Sequence, residues 1–188
     1  MVAAASGGGR RERAIRAAAL VAYVVAMPAA AAALALALHA GASHGRWLPH
    51  AAVGGIALAA AAVGAAFPRD LAGSRWRVPQ GWRRLGRIGF SGAFGAVLGL
   101  GFLTVPASAG LPVLYAFSLT GASWTYVAAI ALLFGLTRAI PGAVTAVMET
   151  RRGAAAFVAL QRLDRTLRLL YPVELALLVF IGYVYLRH

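Results

Sequence analysis

Residues 17–38 read AAALVAYVVAMPAAAAALALAL, and none of these 22 side chains is charged. An α-helix rises about 1.5 Å per residue, so roughly 20 apolar residues cross the hydrocarbon core of a bilayer. Four arginines within residues 10–16 precede the run. The pattern predicts a first membrane span behind a basic N-terminus, residues 1–16, which stays on the cytoplasmic side.

A cleaved signal peptide is the alternative interpretation of this N-terminal segment, because basic residues also precede the apolar core of a signal peptide. That core is typically about 7–15 residues long. The uncharged run here has 22 residues, so we interpret it as a retained span.

The composition extends the membrane interpretation to the rest of the chain. Hydrophobic residues make up 61% of the 188 residues, charged residues 12%, and the mean hydropathy is +0.77. Soluble domains have about 45–50% apolar and about 25% charged residues. We therefore predict an all-α fold, a polytopic transmembrane helical bundle that forms one domain over 17–188. Apolar runs place its five spans at about 17–38, 48–67, 88–104, 112–137 and 172–186.

The fourth span can be divided in two ways. Residues 104–112, TVPASAGLP, break the helix, and Pro112 suits the first turn of a helix that continues to about 137. Alternatively, 105–121 fold back as a re-entrant segment, and 122–148 cross the membrane. In the first division Arg138 lies at the exit of the span, and Pro141 is expected to interrupt the helix after it.

The arginines predict the orientation of the bundle. Fifteen of the 18 basic residues fall in three segments, residues 1–16, 69–87 and 151–168. Loops rich in arginine stay on the cytoplasmic side of a membrane. We therefore predict a multi-pass protein of a bacterial cytoplasmic (inner) membrane, with its N-terminus inside and its C-terminus outside. The same distribution between apolar runs argues against a nucleic-acid partner.

One further helix is predicted to lie on the membrane surface. Residues 154–170 carry leucines on one face and arginines on another, which is typical of a basic interfacial helix attracted to anionic headgroups. Tryptophan beside arginine is typical of the headgroup level. A bilayer with anionic lipid is therefore a predicted partner, and its predicted contacts are Trp76, Trp82, Arg162, Arg165 and Arg168.

Glycines predict a packing surface on the third span. Gly92, Gly95 and Gly99 fall on one helical face. In lipid, small residues at this spacing let the backbone of another helix approach closely. We expect this face to pack against a helix, and we expect a homo-oligomer or a membrane protein partner.

Arg138, Pro141 and Glu174 are the candidates for chemistry within the membrane. Snorkelling to the headgroups explains an arginine near a span end, and the helix dipole explains a glutamate in a first turn. The functional hypothesis places Arg138 beside the broken segment 104–112, where interrupted helices hold an ion or solute. It makes Glu174 a proton or cation site, whose expected partner is one of Arg165, Arg168 and Arg138. The predicted pathway residues are Thr104, Pro106, Ser108, Arg138, Pro141 and Glu174.

The sequence indicates no enzyme and no cofactor. No Gly-rich phosphate loop follows a strand, and no catalytic triad or cleft-forming pair of carboxylates can be assigned. The four histidines have no compact ligand spacing, so no metal site is predicted. An enzyme acting on lipid would need polar groups at one depth, and its candidates are Arg138, Glu149 and Glu174.

Two segments resemble one half of the CcdA/DsbD-type proteins, which carry reducing equivalents across bacterial membranes. They read GFSGAFGAVLGLGFLTVPASAGLPVLYAFSLTG and ALLFGLTRAIPGAV, within about 88–144. The shared motifs are a Gly-rich helix before a Pro-containing break and a Gly-Leu-x-Arg-x-x-Pro-like segment. The resemblance implies a broken-helix scaffold of transporter type. That family's relay needs cysteine at the break, where this chain has Thr104, Val105, Pro106, Ala107 and Ser108, so thiol redox chemistry is not expected.

The leading functional hypothesis is a small transporter-like membrane protein that moves a solute or ion through a cavity at the broken helix. Five spans are few for a complete carrier and cannot form two equal inverted halves. An oligomer or a partner is therefore expected. The alternative is a non-catalytic subunit or assembly factor of a larger membrane complex.

Overall fold

Helices are the regular secondary structure in the part of the chain that the structure describes. A computed structural model describes residues 3–45, 47–66, 80–100, 110–149 and 172–187, and no strand occurs among them. The predicted all-α class is therefore confirmed. In chain order the elements are α1 (Ala3–Ser43), α2 (His50–Ala66), a 3-10 helix (Gln80–Leu85), α3 (Gly86–Leu100), α4 (Gly110–Ser118), α5 (Trp124–Glu149) and α6 (172–187).

Among the described residues, two helices are long and apolar enough to cross a membrane. They are Gly9–Ser43 within α1 and Trp124–Val144 within α5. The apolar helices α2 and α3 have 17 and 15 residues within the described part of the chain, at or just below the lower limit of about 17 for a helix that spans a bilayer. The predicted end of the third span, residues 101–104, lies outside the described part of the chain, and so does the predicted interfacial helix 154–170.

The prediction of a single helix over 112–137 is wrong. Helix α4 ends at Ser118, and α5 begins at Trp124. The last turn of α4 tightens because the backbone N–H of Leu119 bonds the Ala116 carbonyl and that of Thr120 bonds the Phe117 carbonyl. The Thr120 hydroxyl donates to the same Phe117 carbonyl, at 2.7 Å. The bounds of α5 agree with the alternative division, in which 122–148 form one helix.

Pro141 does not interrupt the helix that contains it. Helix α5 continues through Pro141 to Glu149, and α1 likewise continues through Pro28. A proline removes one backbone hydrogen bond from a helix, a loss that neighbouring helices can compensate in an apolar bundle. Arg138 consequently lies inside α5, and its predicted position at a helix exit is corrected.

Helices α1 and α3 run parallel in close contact. A Cβ built on Gly95 would overlap the carbonyl oxygen of Tyr23, and one built on Gly99 would overlap that of Met27. A Cβ on Gly92 would lie 3.8 Å from the Cβ of Ala22. The three glycines predicted to pack against a helix thus all face α1, and two of them leave no room for a side chain.

Helix α5 packs on another side of α1, in the antiparallel sense. Gly135 lies against the backbone of Pro28, and Gly142 lies against the phenol of Tyr23. A Cβ at either glycine would overlap its neighbour. Helix α1 is therefore held between α3 and α5, with glycine at the closest approaches on both sides.

Helices α2, α4 and α6 complete the bundle. Gly182 of α6 lies against Gly54 and Leu58 of α2, and these helices run antiparallel. Val53, Val113 and Leu178 belong to one buried cluster, which joins α2, α4 and α6. A second buried cluster joins α1, α4 and α5 through Ala35, Leu114, Val127 and Ala131. The short helix α4 is therefore packed on both sides.

Candidate functional site

One end of the bundle carries an ion-pair network between α1 and α3. Glu12 Oε1 accepts a bond from Arg16 Nε at 3.1 Å and a second from Arg87 Nη1. The hydrogen bond from Arg87, and then the one from Arg16, lower the pKa of Glu12 below its ordinary value. Residues from two segments that the sequence predicts to be cytoplasmic, 1–16 and 69–87, are therefore bonded to each other at this end of the bundle.

The opposite end carries histidines in contact with aromatic rings. His39 Nδ1 lies 3.1 Å from the carbonyl oxygen of Ser118, and its ring centroid is 5.0 Å from that of Trp47. His50 stacks on Tyr185, with centroids 5.8 Å apart. Among the described residues, no group of three or more His, Cys, Asp or Glu side chains is placed to hold a metal ion.

Arg138 places a guanidinium between these two ends. It follows Trp124, the first residue of α5, by 14 residues, which corresponds to about 21 Å along the helix. Its Nη1 atom is buried and has no hydrogen-bond partner within the described part of the chain. Its Cζ lies 5.7 Å from the centroid of the Phe134 ring. A buried donor without an acceptor is costly, so this atom marks a place where an acceptor would be bound favourably.

Glu174 joins α6 to the start of α4. Its Oε1 accepts a hydrogen bond from the backbone N–H of Gly110, the first residue of α4, at 3.1 Å. A carboxylate is favoured at a helix N-terminus because the first N–H groups there have no partner within the helix. Glu174 is also close enough to Arg138 for the two charges to interact. Arg138 is one of the three arginines that the sequence analysis offers as a partner of Glu174, and the other two, Arg165 and Arg168, lie outside the described residues.

Two tyrosines complete the group around Arg138. The Tyr115 hydroxyl, on α4, donates to the carbonyl of Leu100 at the end of α3. The phenols of Tyr115 and Tyr23 both lie within electrostatic range of Arg138. We call Tyr23, Tyr115, Arg138 and Glu174 the Arg138 cluster. Four helices, α1, α4, α5 and α6, each contribute one of its members.

A cavity of about 1240 Å³ lies between α1, α3 and α5, and we call it the basic cavity. Arg13, Arg16 and Arg87 line it at the end that carries the ion pairs. Tyr23 and Gly142 line it further along these helices. The wall between is mostly apolar and includes Leu20, Phe90, Phe94 and Val147.

The structure brings together part of the predicted site. Arg138 and Glu174 lie within electrostatic range of each other, and Pro141 lies one turn beyond Arg138 in α5. Thr104, Pro106 and Ser108 fall outside the described residues. Among the predicted lipid contacts, Trp82 lies in the 3-10 helix. The remaining lipid contacts lie outside the described residues and are Trp76, Arg162, Arg165 and Arg168.

Sequence reasoning missed both tyrosines of the cluster. Tyr23 stands in the middle of the first apolar run, and Tyr115 follows the predicted break by three residues. Tyrosines at span boundaries are expected as headgroup anchors. A tyrosine in the middle of an apolar run needs a polar partner for its hydroxyl, and this signal would have pointed to Tyr23.

Comparison with protein-family models, curated proteins and solved structures gives no match to this chain. The resemblance to CcdA/DsbD-type proteins therefore rests on the sequence motifs alone and stays a prediction.

Proposed function

We propose that this chain is a multi-pass membrane protein that moves a small solute or ion, with the Arg138 cluster as its binding site. The observation that carries the proposal is Arg138 itself, a guanidinium inside an apolar helix with one nitrogen buried and unbonded among the described residues. Ionisable groups at membrane depth are costly, and they commonly mark solute pathways.

Exposed apolar surface supports the placement in a membrane. In the most apolar windows of α1 and α5, only 28% and 22% of the residues are buried within the protein. A core helix of a soluble protein would be mostly buried. Along α5 and α6, Trp124, Leu133, Ile140 and Phe180 are each more than half exposed. Large apolar side chains exposed in this way are suited to lipid and not to water.

The orientation follows from the arrangement of the charges. Arg16, Arg87 and Glu12 share one end of the bundle, which we assign to the cytoplasm by the positive-inside rule. In the proposed topology α1, α2, α3, α5 and α6 cross the membrane, and α4 enters only part of its depth. The C-terminal end of α6 then lies outside, beside His50.

The polar groups of the cluster indicate the class of solute. The buried atom of the cluster without a hydrogen-bond partner among the described residues is a donor, Arg138 Nη1. The Glu174 carboxylate, by contrast, already accepts a hydrogen bond from the backbone N–H of Gly110. A solute that accepts hydrogen bonds from a guanidinium complements this site, and a small anion does so best. We therefore propose chloride, acetate or inorganic phosphate as suitable probes.

The test is anion flux into liposomes that contain the purified protein. Potassium salts of chloride, acetate and phosphate are added outside in the presence of valinomycin, so that anion entry limits swelling, which light scattering records. Wild type should admit at least one anion faster than empty liposomes do. Arg138→Gln should abolish the difference, whereas Arg10→Gln, which removes one exposed charge far from the cluster, should not.

Equal swelling of empty and wild-type liposomes for all three salts would reject the transport of these anions. If the protein then co-purifies stoichiometrically with a larger membrane complex in mild detergent, the alternative role as a non-catalytic subunit is favoured. Equal rates in wild type and Arg138→Gln would reject the assignment of the binding site.

A further inference from the structure

Charged residues line one end of the basic cavity, and apolar residues line the rest of it. Arg13 and Arg16 lie one turn apart on α1, and Arg87 stands opposite them at the start of α3. Tyr23 is ten residues beyond Arg13, which is about 15 Å along α1. The cavity thus passes from three guanidinium groups to an apolar and aromatic interior.

The arginines keep positive charge at the mouth after their internal pairing. Glu12 is the carboxylate that bonds Arg16 and Arg87, and Arg13 Nε donates to the carbonyl of Gly9. Three guanidinium groups therefore face one carboxylate. Each guanidinium has five N–H donors, so donors remain for a phosphate group after these bonds.

The walls of the cavity favour a ligand with a hydrocarbon chain. Phe90 and Phe94 of α3 stack with centroids 6.0 Å apart, and Leu20 and Val147 face the same space. A free phosphate ion would use the arginines and leave these walls in contact with water. A ligand with an acyl chain would cover them and remove apolar surface from water.

We infer that the basic cavity binds one anionic phospholipid of the cytoplasmic leaflet. Its phosphodiester bonds Arg13, Arg16 and Arg87, and an acyl chain lies along Phe90 and Phe94 toward Tyr23. This inference rests on the membrane orientation in the proposed function, in which the three arginines lie at the cytoplasmic surface. A lipid of that leaflet has its phosphate and chains in the same order along the membrane normal. Basic pockets between membrane helices on this side bind anionic headgroups.

Native mass spectrometry of the full chain in detergent tests the site. The delipidated protein is titrated with phosphatidylglycerol, with phosphatidylcholine of the same chains, and with inorganic phosphate. We expect one phosphatidylglycerol to bind with at least about tenfold preference over phosphatidylcholine. The double variant Arg13→Gln/Arg87→Gln should lose that preference. The matched control Arg10→Gln/Arg11→Gln removes the same charge from positions that do not line the cavity and should keep it.

A second variant tests the apolar wall that contacts the acyl chain, without changing any charge. Ala146 lines the cavity, and Ala146→Phe fills part of it. This variant should weaken phosphatidylglycerol binding while all three arginines are present. Circular dichroism checks that each variant keeps the helix content of wild type, and a variant that fails this check is replaced by Val147→Phe at the neighbouring position.

Three results would overturn the inference. Equal affinity for both lipids would reject headgroup recognition. Displacement of phosphatidylglycerol by equimolar inorganic phosphate would assign the site to the free ion. An equal loss of the preference for phosphatidylglycerol in the matched control would show that the lipid is attracted to the basic surface in general. Failure of transport is distinguishable, because Arg138→Gln should lose anion flux and retain lipid binding.

Discussion

The Glu174 Oε1 atom lies 3.1 Å from the backbone nitrogen of Gly110 and accepts its hydrogen bond. This contact fixes the start of the short helix α4 to the first turn of α6, two elements separated by 64 residues along the chain. Because α4 has only nine residues, it is too short to be stable alone. Its position therefore depends on contacts of this kind at both of its ends.

Removing this acceptor should loosen α4. We predict that Glu174→Leu lowers the free energy of unfolding by about 1.5–3 kcal/mol, the usual contribution of a hydrogen bond to a charged group. Glu174→Gln keeps an acceptor oxygen and should lose less. Unfolding in a detergent titration, followed by circular dichroism, measures both variants. Equal stability of wild type and Glu174→Leu would contradict the role given to this contact.

The close approach of α1 and α3 predicts a strong effect of a single methyl group. Gly99→Ala places a Cβ against the backbone carbonyl of Met27, which cannot move aside as a side chain can. We expect a loss of about 1–3 kcal/mol, typical of overpacking. Gly55→Ala on α2 is the matched control, because no atom lies within 4 Å of its added Cβ. The control should be neutral or stabilising, since alanine favours helix.

Thermal unfolding of the two alanine variants in the same detergent compares them directly. If Gly99→Ala unfolds at the temperature of wild type, the two helices are not in the close contact described. A parallel drop in both variants would instead indicate a general sensitivity of the bundle.

The Glu12 network predicts a pH-dependent part of the stability. The pKa of Glu12 is lower in the folded protein than its ordinary value of 4.5, mainly because Arg87 and Arg16 bond the carboxylate. The corresponding stabilisation is present above that ordinary value and is lost as the pH falls through the lowered pKa. Glu12→Gln should remove this part. Because Glu12 is at the surface, solvent screens the interaction and the difference should be small.

Unfolding temperatures at pH 7 and at pH 3 measure this contribution. We expect the unfolding temperature of wild type to fall more from pH 7 to pH 3 than that of Glu12→Gln. The fall for Arg87→Gln should be intermediate, because Arg16 still bonds Glu12. A wild type that loses no more than Glu12→Gln would contradict the ion-pair network.

Apolar runs predicted some helices well and failed at one turn. The described residues of α2, His50–Ala66, and of α6, 172–187, agree within two residues with the predicted 48–67 and 172–186. The prediction failed at 118–123, SLTGAS, because this turn is short and has apolar residues on both sides. Ser, Thr and Gly in close succession are a turn signal, and Thr120 indeed bonds the helix backbone.

The Arg138 cluster could be predicted only in part. Arg138 and Glu174 stand out in sequence because charges are rare in apolar helices. Tyr23 and Tyr115 do not, since their role depends on how α1, α4 and α5 pack around one arginine. The basic cavity is also beyond sequence reasoning. It exists because three helices leave a space between them, and no spacing of residues along one helix encodes that space.

The absence of cysteine makes the proposed orientation directly testable. The chain contains no cysteine, so each introduced thiol is the only reactive one. We predict that Gly81→Cys, close to Arg84 and Arg87, faces the cytoplasm and reacts with a membrane-impermeant maleimide only after the cells are permeabilised. His44→Cys, after the C-terminal end of α1, should react in intact cells. Both positions are exposed, so a lack of reaction reports sidedness and not burial.

Arg187→Cys provides a further test of the same topology, because the end of α6 lies beside the start of α2 through the stacking of Tyr185 on His50. It should react in intact cells, as His44→Cys does. Labelling after permeabilisation confirms that each variant is present. Reaction of Gly81→Cys in intact cells, or protection of Arg187→Cys from the maleimide, would contradict the proposed topology. The cytoplasmic assignment of Arg13, Arg16 and Arg87 would then fail as well.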